Sequence, residues 1–141
     1  MTAGARQSNA SPSTNPEVVR EGYEHFNRGD LDWVIAHLDP EITWEDADDV
    51  PDARTYEGIG EVRHYLESFA HHWEEIRFEP RELLEAGDVV LADCRLIGRG
   101  LASGAEVDAE VIHVVHMRRL KVVRVRTFFD RSEAAAAAGL E

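Results

Sequence analysis

The chain has 141 residues, a length that predicts a single domain. Its formal net charge of −13 argues against a general nucleic-acid binder, which needs a basic face for the phosphates, and against adhesion to anionic membranes. The single cysteine excludes an intramolecular disulfide framework and fits a reducing compartment, so we expect a cytoplasmic protein.

The N-terminal segment carries too little apolar surface to order itself. We expect residues 1–14 to form a flexible tail ahead of one domain at 15–141. Asn15 suits a helix cap and Pro16 a first helical position. Gly29 ends this helix, whose apolar residues recur at helical spacing as Val18, Val19, Gly22, Tyr23 and Phe26.

A second helix and a short strand follow. Asp30 is a candidate cap for the helix, and Pro40 is expected to end it. Period-two spacing then places Ile42, Trp44 and Asp46 on one face of a strand. After a polar loop at residues 48–55, helical spacing returns at Ile59, Val62, Leu66, Phe69 and Trp73.

The second half of the chain predicts four strands, at residues 76–85, 88–101, 106–118 and 121–130. Gly87 and the pair at 103–104 mark turns between them. The second strand exceeds the usual length, so we expect a bulge near Gly98 or Gly100. An alanine-rich stretch at 130–138 predicts a last helix. Helices grouped on one face of a mostly antiparallel sheet indicate an α+β fold.

Several short segments, in order and at matching spacing, carry a family resemblance. They are residues 27–32 (NRGDLD), 43–46 (TWED), 56–58 (YEG), 112–114 (IHV), 121–123 (KVV), 129–134 (FDRSEA) and 138–140 (AGL). The set resembles SnoaL-like, ketosteroid-isomerase-like proteins of the nuclear-transport-factor-2-like superfamily, actinobacterial members among them. The resemblance covers about residues 16–140. It implies a curved sheet closed by helices into a cone-shaped barrel around a small-molecule pocket, and it leaves the activity open.

The register of the last strands decides which side chains enter the cone. A two-residue turn at 119–120 places Arg118 opposite Lys121 and, further along, His113 opposite Arg126. A tight turn at 103–104 places Cys94 opposite His113. The resemblance implies that the positions of Asp46 and His113 lie at the pocket, so the row containing Cys94, His113 and Arg126 is predicted to face inward, with Phe128 and Asp130 on the same side. The opposite assignment stays open, since a slip of one residue inverts every side chain.

The other face of these strands carries Ile112, Val114, Val123 and Val125. Strands that are apolar on both faces are usually buried on both. We therefore predict a homodimer formed through the outer face of the sheet.

Two residues are the candidate catalysts. The resemblance aligns Asp46 with the proton-shuttling carboxylate of ketosteroid isomerases, and an apolar pocket makes a carboxylate a usable base near neutral pH. His113 aligns with their acidic oxyanion donor and could donate or accept a proton. The structural alternatives are a solvated acid at the start of a loop and a hydrogen-bonded core histidine.

The chain also departs from known members. Gly22, one place before Tyr23, stands where the isomerases carry their oxyanion-hole tyrosine. Cys94 and Leu96 stand where limonene-epoxide-hydrolase-like members carry catalytic partners for a carboxylate that aligns with Asp130. The full constellation of either activity is therefore missing. Asp130 is more simply explained as a cap of the last helix.

The remaining site predictions are a ligand-binding set and no bound metal or cofactor. Arg126 could neutralise a ligand carboxylate or pair with a buried acid. His64, His71 and His72 spread over different helical faces, so we predict no metal site, and we expect no cofactor. The predicted ligand-binding residues are Tyr23, Trp44, Phe69, Cys94, Arg126, Phe128 and Asp130.

Three functions remain open on the sequence alone. The first is an isomerase-, cyclase- or dehydratase-type enzyme that uses general acid–base chemistry on a small apolar metabolite. The second is a binding protein of the same shape without turnover. The third is a dimerisation module whose cone is filled by side chains.

Overall fold

The computed structural model describes residues 11–140; residues 1–10 of the predicted tail lie outside this range. In chain order its elements are α1 (Asn15–Asn27), α2 (Leu31–Ala36), β1 (Leu38–Glu45), β2 (Thr55–Glu57), α3 (Gly58–His71), β3 (Trp73–Ala86), β4 (Val89–Gly100), β5 (Glu106–Arg118), β6 (Lys121–Phe128) and α4 (Arg131–Ala138). No helix in the described range is long and apolar enough to cross a membrane.

The first helix begins one residue earlier than predicted. Thr14, and not Asn15, is its cap: the Thr14 hydroxyl accepts from the backbone N–H of Glu17 at 3.3 Å, and the Glu17 carboxylate accepts from the Thr14 N–H at 3.0 Å. This reciprocal pair is the capping box that a threonine followed three residues later by glutamate predicts.

The second helix is shorter than predicted. It ends at Ala36, and Pro40 lies inside β1. The register of β1 against β6 shifts between Leu38 and Thr43, so Pro40 occupies an irregular stretch of the strand. A residue without an N–H is tolerated there because no regular ladder bond is lost.

The strands form one curved, open sheet in the order β2-β1-β6-β5-β4-β3. β1 and β6 are parallel, and the other neighbours are antiparallel. The α+β fold class is thereby confirmed. The sheet itself does not close into a barrel, since β2 and β3 are free edges; α1 and α3 cover its concave side instead.

The bulge expected within β4 lies in β3 instead. β4 pairs with β5 in one unbroken register, whereas β3 shifts register against β4 twice. Trp73 pairs with Gly100 and Glu75 with Arg99, so the first extra residue is Glu74, and the second is Arg81. The glycine at 98 has a steric role here: a Cβ at Gly98 would lie 2.7 Å from Cε3 of Trp73.

The hairpin from β5 to β6 shows where the predicted register was wrong. Arg118 does pair with Lys121, as predicted, but a bulge at Val123 shifts everything beyond it by one residue. His113 therefore pairs with Thr127, and Arg126 pairs with Val114. A shift of one residue sends each side chain to the opposite face.

For the hairpin from β4 to β5, the predicted register is wrong by two residues instead. Cys94 pairs with Val111, and His113 pairs with Ala92, because the connecting loop is longer than a two-residue turn. A shift of two residues preserves the face. Cys94 and His113 consequently remain on the concave side, as predicted.

The convex side of the sheet is partly covered by α4. Its apolar cluster consists of Leu91, Ile112, Val114, Ala134 and Ala138. Arg131 fastens the helix, because its guanidinium contacts the buried Asp93 carboxylate at 2.8 Å and Glu82 at 2.6 Å. The homodimer stays a prediction, but Ile112 and Val114 are already covered within the chain and Val125 lies in the inner core.

Candidate functional site

A cavity of about 400 Å³ lies between the helices and the concave face of the sheet. Most of its wall is aliphatic or aromatic, contributed by α1, α2, α3 and the central strands. Small-molecule sites typically have this size and this apolar character, with a few polar groups that orient the ligand. The predicted residues that line it are Tyr23, Trp44, Asp46, Phe69 and His113.

His113 lies deep in this wall, with 6% of its surface exposed. Its Nδ1 is 2.6 Å from the Tyr23 hydroxyl, and its ring centre lies 5.6 Å from Trp44 and 5.9 Å from Phe78. Burial lowers the pKa of His113 from 6.5 to about 4, because an imidazolium would lose its hydration. The ring is therefore neutral at neutral pH.

The Tyr23 hydroxyl determines what His113 can offer a ligand. Burial raises the pKa of Tyr23 well above its ordinary value, so the hydroxyl keeps its proton. When that proton is donated to Nδ1, the imidazole hydrogen resides on Nε2. Residues 11–140 supply no hydrogen-bond partner for Nε2, which leaves it free to donate to a ligand in the cavity.

Cys94 lies in the core beside this pair and is fully buried. Burial raises the pKa of its thiol to about 11, against a smaller lowering by hydrogen bonding to Tyr23. A thiol with so high a pKa is a poor nucleophile at neutral pH. Cys94 does not line the cavity, and we assign it a packing role.

Asp46 follows the end of β1 and is partly exposed. One carboxylate oxygen accepts from the Tyr65 hydroxyl at 3.2 Å, and the other from the backbone N–H of Arg54 at 3.3 Å. Burial, and secondly the Asp46 charge, raise the pKa of Tyr65, so this hydroxyl remains a donor. Both oxygens of Asp46 are thereby positioned as hydrogen-bond acceptors at the cavity wall.

Tyr65 was not among the predicted site residues. It lies on α3 three residues after Val62, so helical spacing already placed it on the buried face. What the spacing could not show was its hydroxyl contact with Asp46, which depends on how α3 rotates against β1. The ring also packs between Trp44 and Tyr56, at 6.0 and 4.3 Å between centres.

A second, shallow pocket of about 100 Å³ adjoins the cavity. Asp46, Ala47, Thr127 and Phe129 line both, so the two spaces meet along these four residues. Phe129 is 46% exposed there. We call this shared region the mouth of the cavity.

Besides Cys94, three predicted ligand-binding residues lie outside the cavity. The Val123 bulge turns Arg126 and Phe128 to the convex side, where the guanidinium stacks over the Phe128 ring at 5.3 Å. Thr127 takes the inward position that Arg126 was expected to occupy. Asp130 caps α4, as the simpler interpretation held, and its carboxylate accepts from the Glu133 N–H at 3.0 Å.

Comparison with known proteins agrees with this architecture. No curated protein matches the chain. An NTF2-like protein of unknown function from Burkholderia pseudomallei aligns with a TM-score of 0.76 and 27% identity, over 89% of this chain and 97% of that one. An NTF2-like protein from Burkholderia thailandensis aligns with a TM-score of 0.75 and 27% identity, over 91% and 98% of the two chains.

A third solved structure shows the fold alone at lower identity. TerC, co-crystallised with polyporic acid, aligns with a TM-score of 0.75 and 21% identity, over 90% of this chain and 99% of that one. The sequence pattern of the SnoaL-like domain matches residues 19–125. This match spans most of the chain, which therefore belongs to the SnoaL-like domain family.

Proposed function

We propose that the cone binds a mostly apolar small molecule carrying a carbonyl group and catalyses proton transfer on it. One observation carries the proposal: an apolar cavity of about 400 Å³ is lined by a carboxylate and by a buried neutral imidazole with one unpartnered nitrogen. These are the groups that carbon-acid chemistry needs, a base for the proton and a donor for the oxygen.

Asp46 and His113 have different roles in the proposed reaction. Asp46 removes a proton from the carbon next to the carbonyl, and the electron pair of that C–H bond moves onto the carbonyl oxygen. The Nε2–H of His113 donates a hydrogen bond to this oxygen while its negative charge develops. Return of the proton to another carbon is an isomerisation; attack by the carbanion or loss of a leaving group gives cyclisation or elimination.

The pKa of His113 determines which role it has in this reaction. A group whose pKa is lowered to about 4 is not an imidazolium at neutral pH. His113 therefore acts as a neutral hydrogen-bond donor, and the proton that moves is the one that Asp46 carries. Tyr23 is a positioning residue, because it fixes the imidazole through Nδ1.

A binding protein without turnover is the second candidate, and one observation favours it. Both candidate catalysts already have partners within the chain, Tyr65 for Asp46 and Tyr23 for His113. The co-crystal of TerC with polyporic acid supports ligand binding by a fold of this shape and is neutral on catalysis. The third candidate, a module with a filled cone, is disfavoured by the size of the cavity.

To test this, NMR would measure the rate at which the methyl protons of 2-acetylnaphthalene exchange for deuterium in D2O. Calorimetry would measure binding of the same ketone in parallel. We expect the protein to accelerate exchange and Asp46→Asn to slow it by about 10²–10⁴-fold, the usual contribution of a general base, with the Kd nearly unchanged. Glu85→Gln is the control, since Glu85 is exposed and lines neither pocket.

Each outcome decides between the candidates. Binding without any exchange establishes the non-catalytic candidate for this ligand class. Undiminished exchange in Asp46→Asn shows that Asp46 is not the base. If the ketone does not bind at all, the proposal of a ligand site fails.

A further inference from the structure

Charge is distributed unevenly around the cavity. Among the described residues no lysine or arginine lines it; its ionisable side chains besides tyrosines are Asp46, His37 and His113. His113 is neutral because it is buried. An anionic group inside would therefore meet no lysine or arginine, and an unpaired buried carboxylate is costly.

Two arginines on β6 could in principle have supplied that charge. Both lie beside an acid outside the cavity instead. Arg124 contacts the Glu45 carboxylate at 2.5 Å, and the Arg126 guanidinium lies 4.0 Å from the same carboxylate. The Val123 bulge directs Arg126 to the convex side, over the ring of Phe128. The position that faces His113 holds Thr127 instead.

The surroundings of the mouth are acidic. The adjoining shallow pocket is lined by Glu45, Asp46, Asp48, Asp49 and Glu133, with Arg126 as its one cation among the described residues. Asp48 and Asp49 are exposed and make no ion pair within the described range. A cleft bordered by one sign of charge repels ions of that sign and attracts the opposite one.

Asp46 retains capacity for a positively charged group. Each of its oxygens accepts one hydrogen bond, at 3.2 and 3.3 Å, whereas a carboxylate has about four acceptor positions. The rings of Trp44 and Tyr65 border the same place, 6.0 Å apart. A carboxylate flanked by aromatic faces is a favourable environment for an ammonium group.

We propose that this site selects its ligand by charge: it admits uncharged or cationic molecules with an apolar body and rejects anions of the same shape. The interior contributes because it offers no cation, and the mouth contributes because it is acidic. The inference rests on the proposed ligand site and adds the chemical class of the molecule that enters it. It does not depend on whether the bound molecule is turned over.

Three ligands of nearly the same shape test it: 2-acetylnaphthalene, 2-naphthylmethylammonium and 2-naphthoate. Their Kd values would be measured by calorimetry at pH 7.5, in 20 and 300 mM NaCl. We expect 2-naphthoate to bind at least tenfold more weakly than the ketone at low salt, and the ammonium to bind as tightly as the ketone or more tightly. Salt should narrow the difference, since it screens the exposed acids.

Two double variants that remove the same charge test whether the acids near the mouth repel the anion. Asp48→Asn with Asp49→Asn should tighten 2-naphthoate several-fold and leave the ketone unchanged. Glu85→Gln with Asp88→Asn removes the same charge from exposed positions that line neither pocket, and should leave both Kd values unchanged. An equal effect of the two double variants would show that net charge, and not the mouth, repels the anion.

The three Kd values distinguish failure of charge selection from failure of the ligand site itself. If 2-naphthoate binds as tightly as the ketone, charge selection is overturned while the ligand site stands. If none of the three ligands binds, the ligand site is overturned and charge selection falls with it.

Discussion

The buried imidazole of His113 makes protein stability depend on pH in a defined way. In the folded chain its pKa is about 4, against 6.5 for an ordinary histidine. Between these values the unfolded chain binds a proton that the folded chain does not. Stability therefore rises with pH in this window: the contribution of His113 is fully present above about pH 6.5 and is lost as the pH falls toward 4.

The size of the effect follows from the shift. A pKa displaced from 6.5 to about 4 corresponds to roughly 3 kcal/mol between the two ends of the window. Between pH 7.5 and 5.0 the His113 contribution to the free energy of unfolding should fall by about 2 kcal/mol. His113→Gln removes the titration and keeps a hydrogen-bonding partner for Tyr23.

The assay is urea unfolding of wild type and His113→Gln at steps between pH 7.5 and 5.0. The other titrating groups are common to both chains and cancel in the difference. We expect the deficit of the variant to shrink by about 2 kcal/mol as the pH falls. Thr127→Val, which alters a neighbouring cavity residue without a titrating group, should show a deficit independent of pH. Parallel curves for wild type and His113→Gln would refute the reasoning.

Three further predictions concern stability and are measured by the same unfolding assay. Gly98→Ala should destabilise by about 1–3 kcal/mol because its Cβ would collide with Trp73, whereas Gly60→Ala, in an open helical position, should stabilise by up to about 1 kcal/mol; equal effects would contradict the steric role of position 98. Arg119→Asn should stabilise by about 0.5–1 kcal/mol, since residue 119 has φ 54° and asparagine tolerates that region better; a loss would contradict it. Asp130→Ala should cost about 1 kcal/mol through the lost cap of α4, while Asp130→Asn should cost much less; similar losses in both would rule out the cap as the cause.

The fold was predictable because local signals and family resemblance agreed. Helical spacing on α1 and α3 and period-two alternation in β3 to β6 each depend on one buried face, which the residues themselves reveal. Several errors concerned element ends and one short strand. Pro40 was taken as a helix stop, although it lies in an irregular stretch of β1, and neither β2 nor the Thr14 cap was recognised.

The site was less predictable because it depends on register and on helix rotation. A bulge leaves no fixed mark in the sequence, so the extra residue Val123 was missed and Arg126 was placed inside. The alternation of Val123, Arg124, Val125 and Arg126 did contain the correction: arginines on one face of a strand belong toward solvent unless a buried partner is present.

Contacts between residues far apart in the chain could not be predicted from the sequence. Tyr23 and His113 were both named as site residues, but their hydrogen bond joins positions 90 apart in the chain. The Tyr65–Asp46 contact similarly requires α3 to pack on β1 with one rotation. Residue types at a site can therefore be anticipated from pattern and resemblance, whereas their partners require coordinates.

The single extra residue in β6 has a consequence for how this protein could diverge. Deletion of Val123 would straighten the strand without turning any side chain over, because Arg124 already pairs with His116 and Arg126 with Val114. If Val123 instead entered the ladder opposite His116, every later residue would slip by one, and Arg124 and Arg126 would replace Val125 and Thr127 in the cavity wall. A slip of one residue at this bulge is therefore a short evolutionary route between ligands of opposite charge, one that a comparison of substitutions alone would overlook.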